Sequence, residues 1–434
     1  MSCTGSLDRI ESLVSAYGVV SHVWRRRAPR GLDRIGSWGA QAGSGSSEYR
    51  RLSANSLPRR TTGAGVDTGD PDKGRLIAIA EAAERYAAGD FVGEPARWAR
   101  SCELDGAVID LASVPRCSAR ELAVDGCPLS RVDPDAVIRW VRGTDLVTGE
   151  LTWVPAVMAC YRLRKPRTEE LFWYRISTGY AVHTDPVEAL VRGLCEVIER
   201  DAIAVTWLQR LALPVVPAHS RSQLVDELLG WYERHFIETY LFDATSDMAV
   251  PTVYCLQIAE FDTRLRQVVS CATGRTIATA SEKALLDLIR YRHPGLGPAK
   301  APEEFRDFQD IADGAAFMGR PEMAAAFDFL TTGAGLRVAP SRPDLPADPG
   351  GALAAITKTL AGRGMQAVAI DRTPRELTDA GLTAVCVVIP GLQPMSLSPF
   401  AQYRAHPRLY EAPLLMGFRS VAEEELNPWP QPFA

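Results

Sequence analysis

No Cys-x-x-Cys pair occurs among the nine cysteines of this 434-residue chain, which stand at positions 3, 102, 117, 127, 160, 195, 255, 271 and 386. An odd and scattered set argues against a disulfide framework and fits reduced cytosolic thiols. The six histidines, His22, His183, His219, His235, His293 and His406, are equally dispersed. A structural zinc site needs closely spaced Cys or His ligands, so none is expected. Long apolar runs are missing too. Stretches such as Ala384 to Pro390 fall far short of the roughly 20 residues that span a bilayer, so no membrane segment is expected. The start, Met1 to Asp8, is polar and acidic where a secretory signal is basic and then apolar, which points to a cytoplasmic protein. Basic excess is absent as well: 48 Lys and Arg face 53 Asp and Glu, a net charge of -5. Nucleic acid is therefore not expected as a partner. No G-x-x-x-x-G-K-[ST] loop appears, which disfavours ordinary P-loop hydrolysis, and there is no G-x-S-x-G elbow. No histidine has an evident Cys or Asp companion, and Cys195 reads as a small core residue rather than a nucleophile.

What is present reads as a globular chain, with 46% hydrophobic and 23% charged residues. The stretch LDRIESLVSAYGVV is amphipathic and runs into a basic strip, Arg25, Arg26, Arg27 and Arg30, read as a solvated face. Gly39 to Gly74 is rich in Gly, Ser, Thr and Arg without periodicity, so it reads as loop. With Arg59, Arg60 and Lys73 it could order around an anion. Helical spacing follows in RLIAIAEAAERYAAGDF, with Gly89 as its stop. A second helix is PVEALVRGLCEVIERDAIAVTWL, with Asp185 as N-cap and Pro186 in the first turn. A third is SEKALLDLIRYR, capped by Ser281. Between them lie LTWVPAVMACYRL, TYLFDA, VPTVYCLQIAEF, MQAVAIDRT and LTAVCVVIPGL, which read as strands. The alternation predicts a mixed α/β (α+β) protein. The three helices share glycine-containing lead-ins, TGAGVDTG, STGYAVHTD and CATGRTIATA, which suggests a repeated strand-turn-helix unit. Segments 293–302 and 339–351 read as Pro- and Gly-rich excursions, and no domain boundary stands out.

The carboxylates are the informative residues. Glu81 and Glu84 stand three apart on the first helix, with Arg85 four after Glu81; Glu196, Glu199 and Arg200 repeat this E-x-x-E-R arrangement. Glu188 lies eight residues, about two turns, before Glu196 and near the same face. A single copy reads as exposed helix glutamates with i,i+4 partners, stabilising by roughly 0.2 to 0.5 kcal/mol a pair. Two copies in apolar, glycine-led helices point further. If the helices pack together, five carboxylates converge and need cations or arginines to stay ionised. Mg2+ bridging ATP phosphates is the natural partner, because this hard ion prefers carboxylate oxygen, water and phosphate.

The first helix resembles the YcaO pattern S-x-x-x-E-x-x-E-R, and STGYAVHTDPVEALVRGLCEVIERDA resembles that family's second ATP-binding segment, including the terminal E-R-D-A. The similarity runs from about Gly63 to the C-terminus. It implies a YcaO fold, with strand-turn-helix units around an ATP and Mg2+ site, and the 63–427 stretch as its catalytic domain. Residues 1–62 would be an integrated N-terminal segment and 428–434 a tail. By matching, Glu81, Glu84, Glu188, Glu196 and Glu199 would be metal and phosphate ligands, with Arg85 and Arg200 as phosphate or structural partners. Thr184 and Arg290 join the nucleotide set by position. Departures are present: the serine before the first glutamates falls at Ile77, an asparagine expected four before Glu188 is Thr184, and the lysine of a G-K-G turn is Ala64. The third helix shows Asp287, Arg290 and Arg292 where a Gln-x-x-x-Arg element is common.

The resemblance further implies a cyclodehydratase subunit that turns Cys, Ser or Thr of a ribosomally made precursor peptide into thiazoline or oxazoline. The side-chain heteroatom attacks the preceding carbonyl, and the oxygen is phosphorylated by ATP and leaves as phosphate. Pro428, Pro430 and Pro432 form a stiff P-x-P-x-P ending. In azoline-forming members such a tail ends near the active site, so the carboxylate of Ala434 is a candidate to orient or deprotonate the nucleophile. Thioamide or macroamidine formation, or a non-catalytic accessory role, stays open. Expected partners are the precursor peptide, a separate E1-like or leader-binding protein, since no such segment precedes the YcaO-like region, and a second copy in a homodimer.

Overall fold

The computed structural model describes residues 8–26, 30–32, 34–43, 62–88, 96–292, 301–308, 311–332 and 337–433. Along the chain the strands are β1 (Val20–Arg26), β2 (Gly36–Ala42), β3 (Thr62–Asp67), β4 (Arg97–Ala99), β5 (Ala107–Val108), β6 (Ile138–Asp145), β7 (Leu151–Pro155), β8 (Tyr180–His183), β9 (Glu238–Asp243), β10 (Thr252–Ile258), β11 (Gln267–Thr273), β12 (Val368–Asp371) and β13 (Thr383–Val388). The longer helices are α1 (Pro71–Ala87), α2 (Pro186–Gln209), α3 (Gln223–Arg234), α4 (Ile277–Arg292), α5 (Ile311–Met318), α6 (Pro349–Gly362) and α7 (Arg408–Leu415). The mixed α/β expectation is met. The chain divides into two compact units, one of Met1–Ser113, Val132–Glu196 and Gly364–Ile389, the other of Val114–Arg131, Val197–Arg363 and Pro390–Ala434.

In the first unit β1, β2 and β3 form an antiparallel sheet in that order. Two of these strands lie in the stretch that reads as loop in the sequence, and the reason is steric. A Cβ on Gly63 would stand 2.2 Å from the Ala78 carbonyl oxygen of α1, and one on Gly65 would stand 2.0 Å from that of Gly74. Glycine therefore occupies the strand positions that face the helix, and the apolar alternation by which a strand is recognised is erased. Lys73 lies in the first turn of α1, where its N–H donates to the capping Asp70 at 3.2 Å; Arg59 and Arg60 lie outside the described residues. Helix α1 begins at Pro71, a turn before Arg75, and Gly89 also lies outside the described residues. Of the basic strip, Arg25 is half-exposed but pairs with buried Asp67 at 3.6 Å and lies over Trp38, and Arg26 lies over Trp24. Arg27 is outside the described residues.

A second sheet of this unit runs in the order β5-β7-β6-β12-β13-β8, with β4 also paired to β6. All its pairings are antiparallel except β5 with β7. Ala78, Ile79, Ala82 and Ala83 of α1 pack in one apolar cluster with Val182 of β8 and Ala384 of β13. The run LTWVPAVMACYRL is a strand only to Pro155, after which Ala156–Ala159 make a helical turn.

The second unit is built on the antiparallel sheet β11-β10-β9. Its core gathers Trp207 and Leu208 of α2, Phe242 of β9, Tyr254 and Leu256 of β10, Phe327, Leu409 and Phe433. Helix α4 starts at Ile277, not Ser281. Thr276 Oγ1 accepts from Thr279 N at 3.0 Å while Thr279 Oγ1 accepts from Thr276 N at 3.1 Å, a reciprocal cap that outcompetes the serine. Ser281 sits inside the helix and donates to Ile277 O. Helix α6 begins inside the expected excursion at 339–351, where Asp348 caps it by accepting from Gly351 N. Arg408 of α7 is buried and lies 2.7 Å from both Asp201 and Asp247.

Candidate functional site

The repeated unit suggested by the lead-ins is present three times, as β3–α1, β8–α2 and β11–α4, each a strand joined to a helix by a short turn. The first two copies share their polar wiring. Glu81 Oε2 of α1 accepts from the backbone N–H of Ala64 at 2.9 Å, and Glu196 Oε2 of α2 accepts from that of Gly179 at 3.1 Å. Both bonds span 17 residues. The arginine repeats as well: Arg85 Nη1 donates to Glu84 Oε1 at 3.0 Å, and Arg200 Nη1 to Glu199 Oε1 at 2.7 Å. A carboxylate on each helix is thus pinned to the strand that leads into it, with a glutamate-arginine pair one turn further on.

In the first unit Arg85 is the centre of charge. Its Nη2 also donates to Glu81 Oε1 at 3.0 Å. Burial lowers the basicity of this guanidinium, but Glu84, Glu81 and Glu196 outweigh burial and hold it above its ordinary value. Three of the five predicted carboxylates are therefore brought around one cation. Glu188 pairs with Arg192 on its own helix at 3.0 Å. Asp185 caps α2 as expected, its Oδ1 accepting from Val187 N at 2.9 Å and Glu188 N at 3.4 Å. Thr184 lies in the turn before it, next to His183, whose pKa is lowered by burial and by Arg192.

Helix α2 carries Glu196 as the last residue of the first unit and Glu199 into the second. There Glu199 Oε2 accepts from Thr273 N at 2.8 Å and from Thr273 Oγ1 at 3.2 Å, at the end of β11. Lys283 of α4 donates from Nζ to Thr273 O at 3.0 Å. Arg290 faces Asp287 on its own helix at 3.9 Å. The backbone amides of Ala64 and Gly179, Thr273 and Lys283 are absent from the sequence-based set. A signal for the first two existed in the constant 17-residue distance between lead-in and glutamate; Thr273 and Lys283 left none.

The tail is packed rather than free. Trp207 Nε1 donates to Trp429 O at 3.1 Å, Phe433 meets Tyr254 edge-on with centroids 5.3 Å apart, and Pro430 to Phe433 are buried. A Cβ on Gly314 of α5 would stand 2.4 Å from Gln431 O, so the tail runs directly over that helix. Pro428 is exposed, and Ala434 lies outside the described residues.

Among the described residues no three His, Cys, Asp or Glu side chains are gathered closely enough to hold a metal ion by themselves. The donors at hand are carboxylate oxygens on two helices, a chemistry that suits Mg2+. This ion is ordinarily held by one or two carboxylates, waters and substrate phosphates rather than by an all-protein cage. Glu84 and Glu196 carry such oxygens in the first unit and Glu199 carries one in the second.

A family model described as YcaO cyclodehydratase, ATP- and Mg2+-binding, matches residues 67–393, and the chain belongs to the YcaO family. ATP and Mg2+ are accordingly its cofactors. Solved structures agree on the fold. A heterocyclase in complex with substrate and cofactor superimposes with a TM-score of 0.79 at 22% identity, over 99% of this chain and 57% of the other. YcaO from Methanopyrus kandleri, bound with AMPPCP and Mg2+, gives 0.61 at 18% identity over 89% and 88%. An uncharacterized protein from the tfuA 3' region of Rhizobium leguminosarum bv. trifolii is 32% identical over 151 residues, 33% of this chain and 32% of the relative. The chain thus spans little more than half of that heterocyclase and about a third of the curated relative. No helix among the described residues is long and apolar enough to cross a membrane.

Proposed function

We propose that this chain is the ATP-dependent subunit of a cyclodehydratase that forms thiazoline or oxazoline from Cys, Ser or Thr of a ribosomally made precursor peptide. The observation that carries this reading is the duplicated carboxylate wiring. Glu81 and Glu196 are fixed to their lead-in strands while Glu84 and Glu199 are held by Arg85 and Arg200. Such fixation places negative oxygens without reorganisation, which is what a phosphoryl-transfer site requires. ATP supplies the phosphoryl group that turns the peptide amide oxygen into a leaving group, with Mg2+ neutralising its phosphates.

On the protein side Glu81, Glu84, Glu188, Glu196 and Glu199 bind and orient, with Arg85, Arg200, Thr184 and Arg290 completing the nucleotide set. The proline-stiffened tail, Pro428, Pro430 and Pro432, holds Ala434 toward the peptide. Burial of residues 430 to 433 against β10 and α5 supports a positioned tail over a loose linker. The peptide is delivered by a separate leader-binding protein, and the catalytic subunit works as a homodimer in the cytoplasm.

The test is ring formation, followed as loss of one water per ring from the precursor peptide alongside phosphate release. Glu196→Gln and Glu199→Gln keep a side-chain oxygen for the Gly179 and Thr273 amides but remove the charge. Both are expected to lower turnover by at least about a hundredfold while the melting temperature stays close to that of the parent. Normal turnover in both variants refutes the assignment. Phosphate release with gain of sulfur instead of loss of water transfers the chain to thioamide formation, and no ATP consumption with any peptide makes it an accessory protein.

A further inference from the structure

A nucleoside triphosphate brings about four negative charges to its site, of which one Mg2+ offsets two, so the protein must present cations of its own. The arginines of the two E-x-x-E-R helices are already committed. Arg85 is bonded to Glu81 and Glu84, and Arg200 to Glu199. Arg192 is paired with Glu188, and Arg290 faces Asp287. Lys283 differs from all of them. Its Nζ donates to a neutral group, the Thr273 carbonyl, at 3.0 Å, and among the described residues it makes no ion pair.

Its position is the second observation. Thr273 offers its N–H and Oγ1 to Glu199 and its carbonyl oxygen to Lys283. In an extended strand the N–H and C=O of one residue point to the same side. Carboxylate and ammonium are therefore held side by side along the edge of β11, separated by the length of one residue and not joined to each other. A carbonyl is a weak resting partner for an ammonium, which binds phosphate oxygens as a compact point charge.

We propose that Lys283 is a phosphate-binding residue of the nucleotide site, its ammonium exchanging the Thr273 carbonyl for the phosphate chain of ATP next to Glu199. This rests on the nucleotide site proposed above and adds to it a residue that no E-x-x-E-R motif contains.

Titration calorimetry of the full chain with ATP, ADP and adenosine, each with Mg2+ present, tests it. Lys283→Ala is expected to weaken ATP by about tenfold to a hundredfold, the ordinary worth of a charge-assisted hydrogen bond. Adenosine, which has no phosphate, should bind the variant as it binds the parent, and Lys283→Arg should restore most of the ATP affinity. Equal weakening of ATP and adenosine, or unchanged ATP affinity, overturns the assignment. Should the alanine variant be unstable in thermal melts, Lys283→Gln carries the same comparison. Glu196→Gln separates the two levels of the proposal. If it loses ATP while Lys283→Ala does not, the site stands and Lys283 falls; if the parent chain binds no ATP at all, both fall.

Discussion

His406 is buried in the second unit, close to Arg408 and Arg116. Burial, reinforced by these two guanidiniums, pulls its pKa from 6.5 down to about 4, against the backbone of Gly391 and Leu392, which act the other way. The folded protein thus holds a neutral imidazole where the unfolded chain takes up a proton. Stability from this group is complete above pH 6.5 and is lost as the pH falls from there toward 4. At pH 5 the loss is on the order of 2 kcal/mol. Urea unfolding at pH 7 and pH 5 checks it: the stability of the parent should fall by that much more than the stability of His406→Gln, in which no proton can be taken up. Equal losses would mean that His406 contributes nothing to the pH dependence.

At the level of elements, Gly314 shows how a helix sets the course of the tail. The missing side chain lets Gln431 O pass within the volume a Cβ would fill. Gly314→Val should lift the tail by about an ångström or more, and a misplacement of that size costs about a hundredfold in a positioned reaction. Ring formation should fall accordingly while ATP affinity, read by titration, changes less than about twofold. Equal loss of both would reduce the tail to a packing element. The same close approach of backbones governs what could be read in advance. The helices were legible because Ala, Leu and Ile recur at helical spacing and because Asp185 and Pro186 mark a start. The glutamate pairs were legible because they recur. Strands β2 and β3 were not, since in β3 glycine at the helix-facing positions removes the alternation and in β2 Gly39 does so where the Trp24 ring lies against it. The start of α4 was misplaced because two threonines share the cap, a reciprocal bond that a single Ser at the head of an apolar run imitates. Thr273 and Lys283 meet only through tertiary structure, ten residues apart across a turn, and no spacing rule covers a lysine bonded to a strand carbonyl.

For the whole molecule the order of the larger sheet matters most. Its middle is occupied by β12 and β13, which lie between β6 and β8 although β12 begins 185 residues after the end of β8 and 223 after the end of β6. A ribosome that has released residues 1 to 363 has therefore made every other strand of this sheet but not the two that join its halves. Until β12 and β13 emerge, the Thr144–Asp145 end of β6 has no neighbour on that side, where β4 reaches only Ile138 to Trp140, and β8 has none in the sheet at all. Bare strand edges of this kind pair readily with other chains. The sheet of the first unit is thus completed only long after its other strands are made, and that interval of synthesis leaves it exposed to aggregation. A chain stopped after residue 363 should collect in the insoluble fraction and, where recovered, bind a dye for exposed apolar surface, while one stopped after residue 389 should show much less of both. The order of the strands thus leads to the expectation that yield in a cell varies with elongation speed and with chaperones that hold the nascent edges apart.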